Sequence, residues 1–201
     1  MSKDATYVIT SAQAFANPND EFLDTLESYV SKNNAKLLVL PMIGNSAKQD
    51  WLRENFAGRI REYDLIYDNI DLNKNIGIAQ FNVRPYQIDP VTGLERFAQR
   101  DKSLIFASPK QRWKYIPHSN RKIPKALITT GACTRPNYAN SDDSSAERRR
   151  LGSIAYRDHE YGAIVVNVYS KKNIIGETYF HFQTEHSQIW ERNMIEIESK
   201  R

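Results

Sequence analysis

The sequence predicts an α/β fold: a mixed sheet with flanking helices in the N-terminal half, and a more antiparallel, β-rich C-terminal half. Three observations carry this expectation. Apolar runs of strand length alternate with amphipathic helical segments through the first hundred residues. Several of those runs, Leu37-Leu38-Val39-Leu40 above all, are apolar without alternation, as in strands covered on both faces. In the second half, strand-like runs follow one another with turn chemistry between them.

Taken in order, Tyr7-Val8-Ile9-Thr10 is a short β-branched run that reads as a strand. Asn17-Pro18-Asn19-Asp20 then supplies a capping residue, a proline suited to a first turn and an early acid. Phe22, Leu26, Tyr29 and Val30 follow at helical spacing, and Ser31-Lys32-Asn33-Asn34 closes the helix. Leu37–Leu40 is the second strand, stopped by Pro41. A second helix is expected from a cap at Ser46, with Gln49 completing a capping box, Trp51, Leu52 and Phe56 on its apolar side and Gly58 at its end. Leu65-Ile66-Tyr67 and the alternating Ile76–Val83 read as strands, and Asp89-Pro90-Val91-Thr92-Gly93 as a turn.

Beyond residue 100, Leu104–Ala107 and Ala126–Thr130 are expected buried strands joined by a basic connection. Residues 137–150 are a polar loop leading into a helix. Ala163–Tyr169, the turn Ser170-Lys171-Lys172-Asn173 and Ile174–Phe182 read as a β-hairpin. No repeat or linker interrupts the chain, so residues 1–201 are expected to form a single α/β domain.

Composition narrows the function classes. The chain has 201 residues, 40% hydrophobic and 11% aromatic, too many for a solvating disordered tail. No apolar run approaches the roughly 18–20 residues of a spanning helix. Met1-Ser2-Lys3-Asp4 lacks the layout of a secretory signal. The single cysteine, Cys133, has no partner for an internal disulfide, so a cytoplasmic setting is expected. Net charge is +4, but residues 1–100 hold 11 Lys/Arg against 13 Asp/Glu, whereas residues 101–201 hold 17 against 11. The positive excess, and with it a DNA or other polyanion partner, belongs to the second half.

Within that half, Lys110, Arg112, Lys114, Arg121, Lys122 and Lys125 provide six cations with no acid between them, and Trp113 and Tyr115 are interleaved. Mobile cations neutralise phosphates and aromatic rings stack on unpaired bases, so this segment is the expected nucleic-acid-binding element. The plainer alternative is a solvated loop anchored by its aromatics. Arg148-Arg149-Arg150 follow Asp142, Asp143 and Glu147 and read as a self-compensating helix surface.

A second reading is enzymatic. His159, flanked by Asp158 and Glu160 just before a strand, has the residue types of a general base or metal ligand in a phosphodiesterase or nuclease. A divalent metal is the cofactor such an enzyme would use. The other histidines, His118, His181 and His186, sit at no recognised ligand spacing. A two-metal phosphoesterase would carry Asp-x-His after the first strand, where this chain has Thr10-Ser11-Ala12-Gln13. It would also carry Gly-Asn-His, where Gly44-Asn45 is followed by Ser46. Thr129-Thr130-Gly131-Ala132-Cys133-Thr134 ends a strand with a loop able to offer backbone N–H groups to an anion, but lacks the P-loop ending. Cys133 reads as a small buried thiol. A third reading is an interaction module for a host or phage protein, with the charge asymmetry serving an acidic partner.

Several phrases together carry a resemblance: Ile9–Gln13, Leu37–Pro41, Asp89–Gly93, Ser108–Gln111, Pro124–Thr134, Pro136–Tyr138 and His159–Ala163. They resemble a family of tailed-bacteriophage early proteins associated with DNA transfer or host-DNA degradation. In some members this region stands ahead of a metallophosphoesterase-type domain, which the 201 residues do not include. The resemblance implies a phage-type protein acting in the host cytoplasm and transfers no catalytic residues.

Overall fold

The structure is a computed structural model that describes residues 2–42, 52, 54, 56, 63–98, 102–117, 125–138, 146–170, 178–186 and 195–197. Several expectations lie outside the described residues: Ser46, Gln49, Trp51 and Gly58 of the second helix, the Gly44-Asn45 pair, His118, Arg121, Lys122, Asp142, Asp143 and most of the 170–173 turn. Of that helix, Leu52 and Phe56 are described, and both are buried.

Strand β1 (Ser2–Ala12) leads through α1 (Asp20–Asn33) to β2 (Lys36–Pro41). The Asn19 side chain caps α1 by accepting the Phe22 N–H at 3.3 Å, Asp20 and Glu21 occupy its first turn, and Asn34 ends it in the left-handed conformation. Replacing Asn19 by alanine is expected to cost about 1 kcal/mol in a urea titration, with the slope unchanged.

The chain continues through β3 (Tyr63–Leu65), β4 (Ile70–Asn73), β5 (Ile76–Ile78), α2 (Glu95–Ala98), β6 (Ser103–Phe106), β7 (Trp113–Ile116) and β8 (Lys125–Thr129). It then forms α3 (Ala146–Arg157), β9 (Gly162–Ser170), β10 (Thr178–His186) and β11 (Ile195–Ile197). Two mixed sheets result. One has the order β11-β10-β9-β1-β2-β3, the other β4-β5-β6-β8-β7. In the first, β1–β2 and β2–β3 are parallel, while β9 runs antiparallel to both β1 and β10. In the second, β5–β6 and β6–β8 are parallel and β7 closes an edge antiparallel to β8.

Alternation along the strands explains the unbroken apolar runs. Ile9, Leu38, Leu40, Ile164 and Val166 meet Ile76, Ile78, Ile105, Ala126 and Ile128 in one core between the two sheets. Their neighbours Val8, Leu37, Val39, Ala163 and Val165 face the other way, onto Phe22, Leu23 and Leu26 of α1. Phe106 and Leu127 face outward from the second sheet onto Val91 and Phe81. Each of these strands is covered on both faces, so neither face needs polar residues.

Several boundaries differ from expectation. The strand expected over Leu65-Ile66-Tyr67 lies at Tyr63–Leu65, with Ile66 and Tyr67 beyond its end. The strand expected over Ile76–Val83 ends at Ile78, because Gln80 is drawn off by Asn69, whose Oδ1 accepts its N–H at 2.7 Å, and by the Ile66 carbonyl. The return strand expected over Ile174–Phe182 is described from Thr178, its first four residues lying outside the described residues, and it runs on past Phe182 to His186. The basic connection contains the strand β7, whose Lys114 suits a sheet edge. Among the described residues, no helix is long and apolar enough to cross a membrane.

Candidate nucleic-acid interface

The acid-free appearance of the 110–125 segment is a property of the sequence that the fold removes. Lys110 is 1% exposed, and its Nζ donates to Asp158 Oδ2 at 2.9 Å and to the Gln87 carbonyl at 2.8 Å. A buried ammonium held this way serves the interior, so the phosphate contact expected of Lys110 is corrected. Lys125 is also buried, on β8. Arg112 lies 3.6 Å from Glu160 and is 43% exposed; Lys114 pairs with Glu95 of α2 and is 41% exposed. The hydrogen bond to Lys114 holds the Glu95 carboxyl below its ordinary range and raises the Lys114 ammonium above its own. Lys110, Arg112 and Lys114 thus each meet an acid from another part of the chain.

Strand geometry also separates what the sequence interleaves. Side chains alternate across a strand, so Arg112 and Lys114 share one side and Trp113 and Tyr115 the other. Trp113 packs against the core between the sheets. Tyr115 is exposed, with its ring centroid 5.9 Å from that of Trp113. Trp113 is therefore an anchor, and Tyr115 the aromatic that reaches solvent.

The three residues at the end of α3 do not converge on one point. Asp158 turns to Lys110 and to Arg157, whose Nε donates to it at 2.7 Å; these two cations, Arg157 foremost, hold its carboxyl down at about 2. Glu160 turns to the Gln111 N–H and to Arg112. His159 turns to the far end of the β8 loop. Its Nε2 lies 2.8 Å from the Thr134 carbonyl, which only accepts, so Nε2 carries the proton and Nδ1 accepts from the Tyr138 hydroxyl at 2.8 Å. Burial lowers the His159 pKa, and the ring is neutral at pH 7. The same burial pushes the Tyr138 phenol far up. Both ring nitrogens of His159 are engaged within the protein, and Tyr161 packs edge-on at 5.3 Å. Among the described residues, no three His, Cys, Asp or Glu side chains gather closely enough to hold a metal ion. His181 and His186 lie on β10, their backbones paired with Asn167 and Gly162.

The Thr129–Thr134 loop is enclosed. The Ala132 N–H donates to the Glu160 carbonyl at 2.9 Å and the Cys133 N–H to the Ser11 carbonyl at 2.7 Å. Those amides serve the interior, which corrects the expectation that they face an anion. Cys133 is a buried thiol in the core beneath α1. Gln111 locks the junction: its Nε2 donates to the Thr130 carbonyl at 2.9 Å, and it lies against Gly162. Sequence reasoning gave no role to Gln111, Glu95 or Tyr138. Their importance comes from partners 19 or more residues away, and no local pattern marks it.

The fold and site together define a two-sheet α/β protein whose loops after β1 and β8 meet the end of α3 at one rim, with an edge strand carrying exposed cations beside it. No family model matches the chain. It is 28% identical over 170 residues to Protein A1 of Escherichia phage T5, an overlap covering 80% of this chain and 29% of that protein. The chain thus resembles a phage protein while spanning under a third of its length. Among solved structures, it aligns with Vps29 of Chaetomium thermophilum at a TM-score of 0.49 and 9% identity, covering 98% of this chain and all of that one.

Proposed function

We propose that this phage-type chain binds DNA through the exposed cations of its second half, with Arg112 and Lys114 as the phosphate contacts. The observation that carries this reading is their placement: Lys114 on the edge strand β7 and Arg112 immediately before it, two residues apart and both over 40% exposed. Their ion pairs with Glu160 and Glu95 are surface pairs, weak and screened by salt, and a phosphate can displace either carboxylate. Tyr115 at the strand edge offers a ring to an unpaired base. Lys110, enclosed with Asp158, has no part in the contact. The similarity to a phage protein names no partner.

The test is anisotropy of fluorescent DNA titrated with the protein over a salt series. Replacing Arg112 and Lys114 by alanine is expected to weaken binding and to flatten the log–log salt dependence by about 0.7–0.9 for each phosphate no longer neutralised. Affinity and slope both unchanged in the double variant would remove the assignment.

A further inference from the structure

The segment after β8 is tied to the rest of the fold on two sides. On one side it pairs with the segment after β1. The Asn19 N–H donates to the Cys133 carbonyl at 2.9 Å and the Arg135 N–H to the Asn17 carbonyl at 2.8 Å. The Asn137 N–H donates to Gln13 Oε1 at 3.1 Å. On the other side, His159 fastens it to the end of α3. The imidazole spends both ring nitrogens on the same stretch of chain. Nε2 donates to the Thr134 carbonyl and Nδ1 accepts from the Tyr138 hydroxyl, each at 2.8 Å.

This arrangement holds for one protonation state. A proton taken from solvent goes to Nδ1, because Nε2 already carries one. Nδ1 then presents an N–H to a hydroxyl that was donating to it. The hydroxyl has to turn its own hydrogen away, and among the described residues it meets no second acceptor. The surroundings give the cation no support. The titratable groups facing the ring are Tyr138 from this segment and Tyr161 just before β9, at centroid distances of 5.6 and 5.3 Å. The flanking charges turn elsewhere: Asp158 to Lys110 and Arg157, and Glu160 to the Gln111 N–H and Arg112. Arg135, beside Thr134, is exposed. Burial also favours the neutral ring.

We propose that His159 is a pH-operated latch: the neutral ring holds Thr134 and Tyr138 against the end of α3, and the protonated ring releases Tyr138. The release is local, because the bonds to Asn17 and Gln13 do not involve the imidazole. Its direction follows from which form the fold selects. The contribution of the latch is complete above the ordinary histidine value of 6.5 and is lost as the pH falls from there through the lowered value of the folded ring. The latch does not depend on the β7 cations or on DNA.

The experiment is hydroxyl-radical footprinting read by mass spectrometry at about pH 7.5 and about pH 5.5, either side of the histidine range. Oxidation of the Tyr138 ring reports its release, and that of Phe106, fully buried in the second sheet, reports global unfolding. In wild type the Tyr138 rate is expected to rise at least about threefold at the lower pH with Phe106 unchanged, the mark of a local opening. In His159→Gln, which carries a donor and an acceptor but does not titrate, the Tyr138 rate is expected to be the same at both values. A second readout is the NMR titration of the His159 ring. Tyr138→Phe removes the donor that favours the neutral form, and is expected to raise the midpoint by at least about 0.5 pH. An equal Tyr138 rate at the two values in wild type overturns the latch. So does a pH-dependent rise that persists in folded His159→Gln, or a His159 midpoint unmoved by Tyr138→Phe. If Phe106 shows that His159→Gln has lost the fold, the wild-type footprint and the Tyr138→Phe titration decide.

Discussion

Gly131→Ala is expected to destabilise the protein by roughly 3 kcal/mol or more, lowering the melting temperature by about 6–12 °C. Two effects add at this position. Gly131 has φ +75°, where a Cβ atom strains the backbone, and the added carbon would sit 2.7 Å from Gly162 Cα and 2.9 Å from its nitrogen. Neither atom can move aside. Gly162 is packed against Gln111, which is fixed by its hydrogen bond to the Thr130 carbonyl. Gly93 provides the control, because it has φ +81° but a Cβ added there would meet nothing within 4 Å. Gly93→Ala therefore meets only the backbone cost, about 1 kcal/mol and some 2–4 °C. Equal losses in the two variants would mean that close packing at the loop junction is not what Gly131 provides.

Asp158→Ala is expected to cost about 2–3 kcal/mol, because it strands the Lys110 ammonium in the interior with only the Gln87 carbonyl. Asp158 is itself partly exposed, which keeps the figure below that of a wholly buried pair. Lys110→Met is expected to cost less, since it retains the packed stem and leaves Asp158 its Arg157 partner. The double variant should lose less than the sum of the singles in urea titrations. The pH dependence has a definite sign. The Asp158 carboxyl is held at about 2 in the folded protein against an ordinary value of 3.8, so its contribution is complete above pH 4 or so and is lost as the pH falls toward 2. Asp158→Asn should remove that part of the acid transition. An acid limb identical to wild type would show that the Lys110–Asp158 contact does not stabilise the fold.

Local pattern was a sound guide wherever a residue's neighbours in sequence are also what it acts upon. The start of α1 was legible because a cap works within three residues, as Asn19 does on Phe22. The doubly covered strands were legible because Leu37–Leu40 and Ala163–Val166 are apolar at every position, whichever partners they meet. Strand β7 was not, because its inward residues, Trp113 and Ile116, are interleaved with a lysine in a run of cations, which an edge strand tolerates. The site was legible only in part. His159, Asp158 and Glu160 are consecutive, but their side chains leave in three directions toward Tyr138, Lys110 and Gln111. The pairing of the segments after β1 and β8 has no sequence signature, because they stand far apart along the chain and meet only through the fold.

By itself, then, the sequence determined the class of fold, the main buried strands and a positive excess in the second half. Those depend on composition and on periodicities of two and 3.6 residues, which act locally. The tertiary structure alone decided that β9 lies beside β1, that both sheets draw on both halves of the chain, and that the apparently acid-free segment meets Asp158, Glu160 and Glu95. Strand pairing and ion pairing are settled by which distant segments share a surface. Lys110 and Arg112, two residues apart, both meet acids, yet Lys110 is buried with Asp158 while Arg112 stays exposed beside Glu160, a difference only the fold decides.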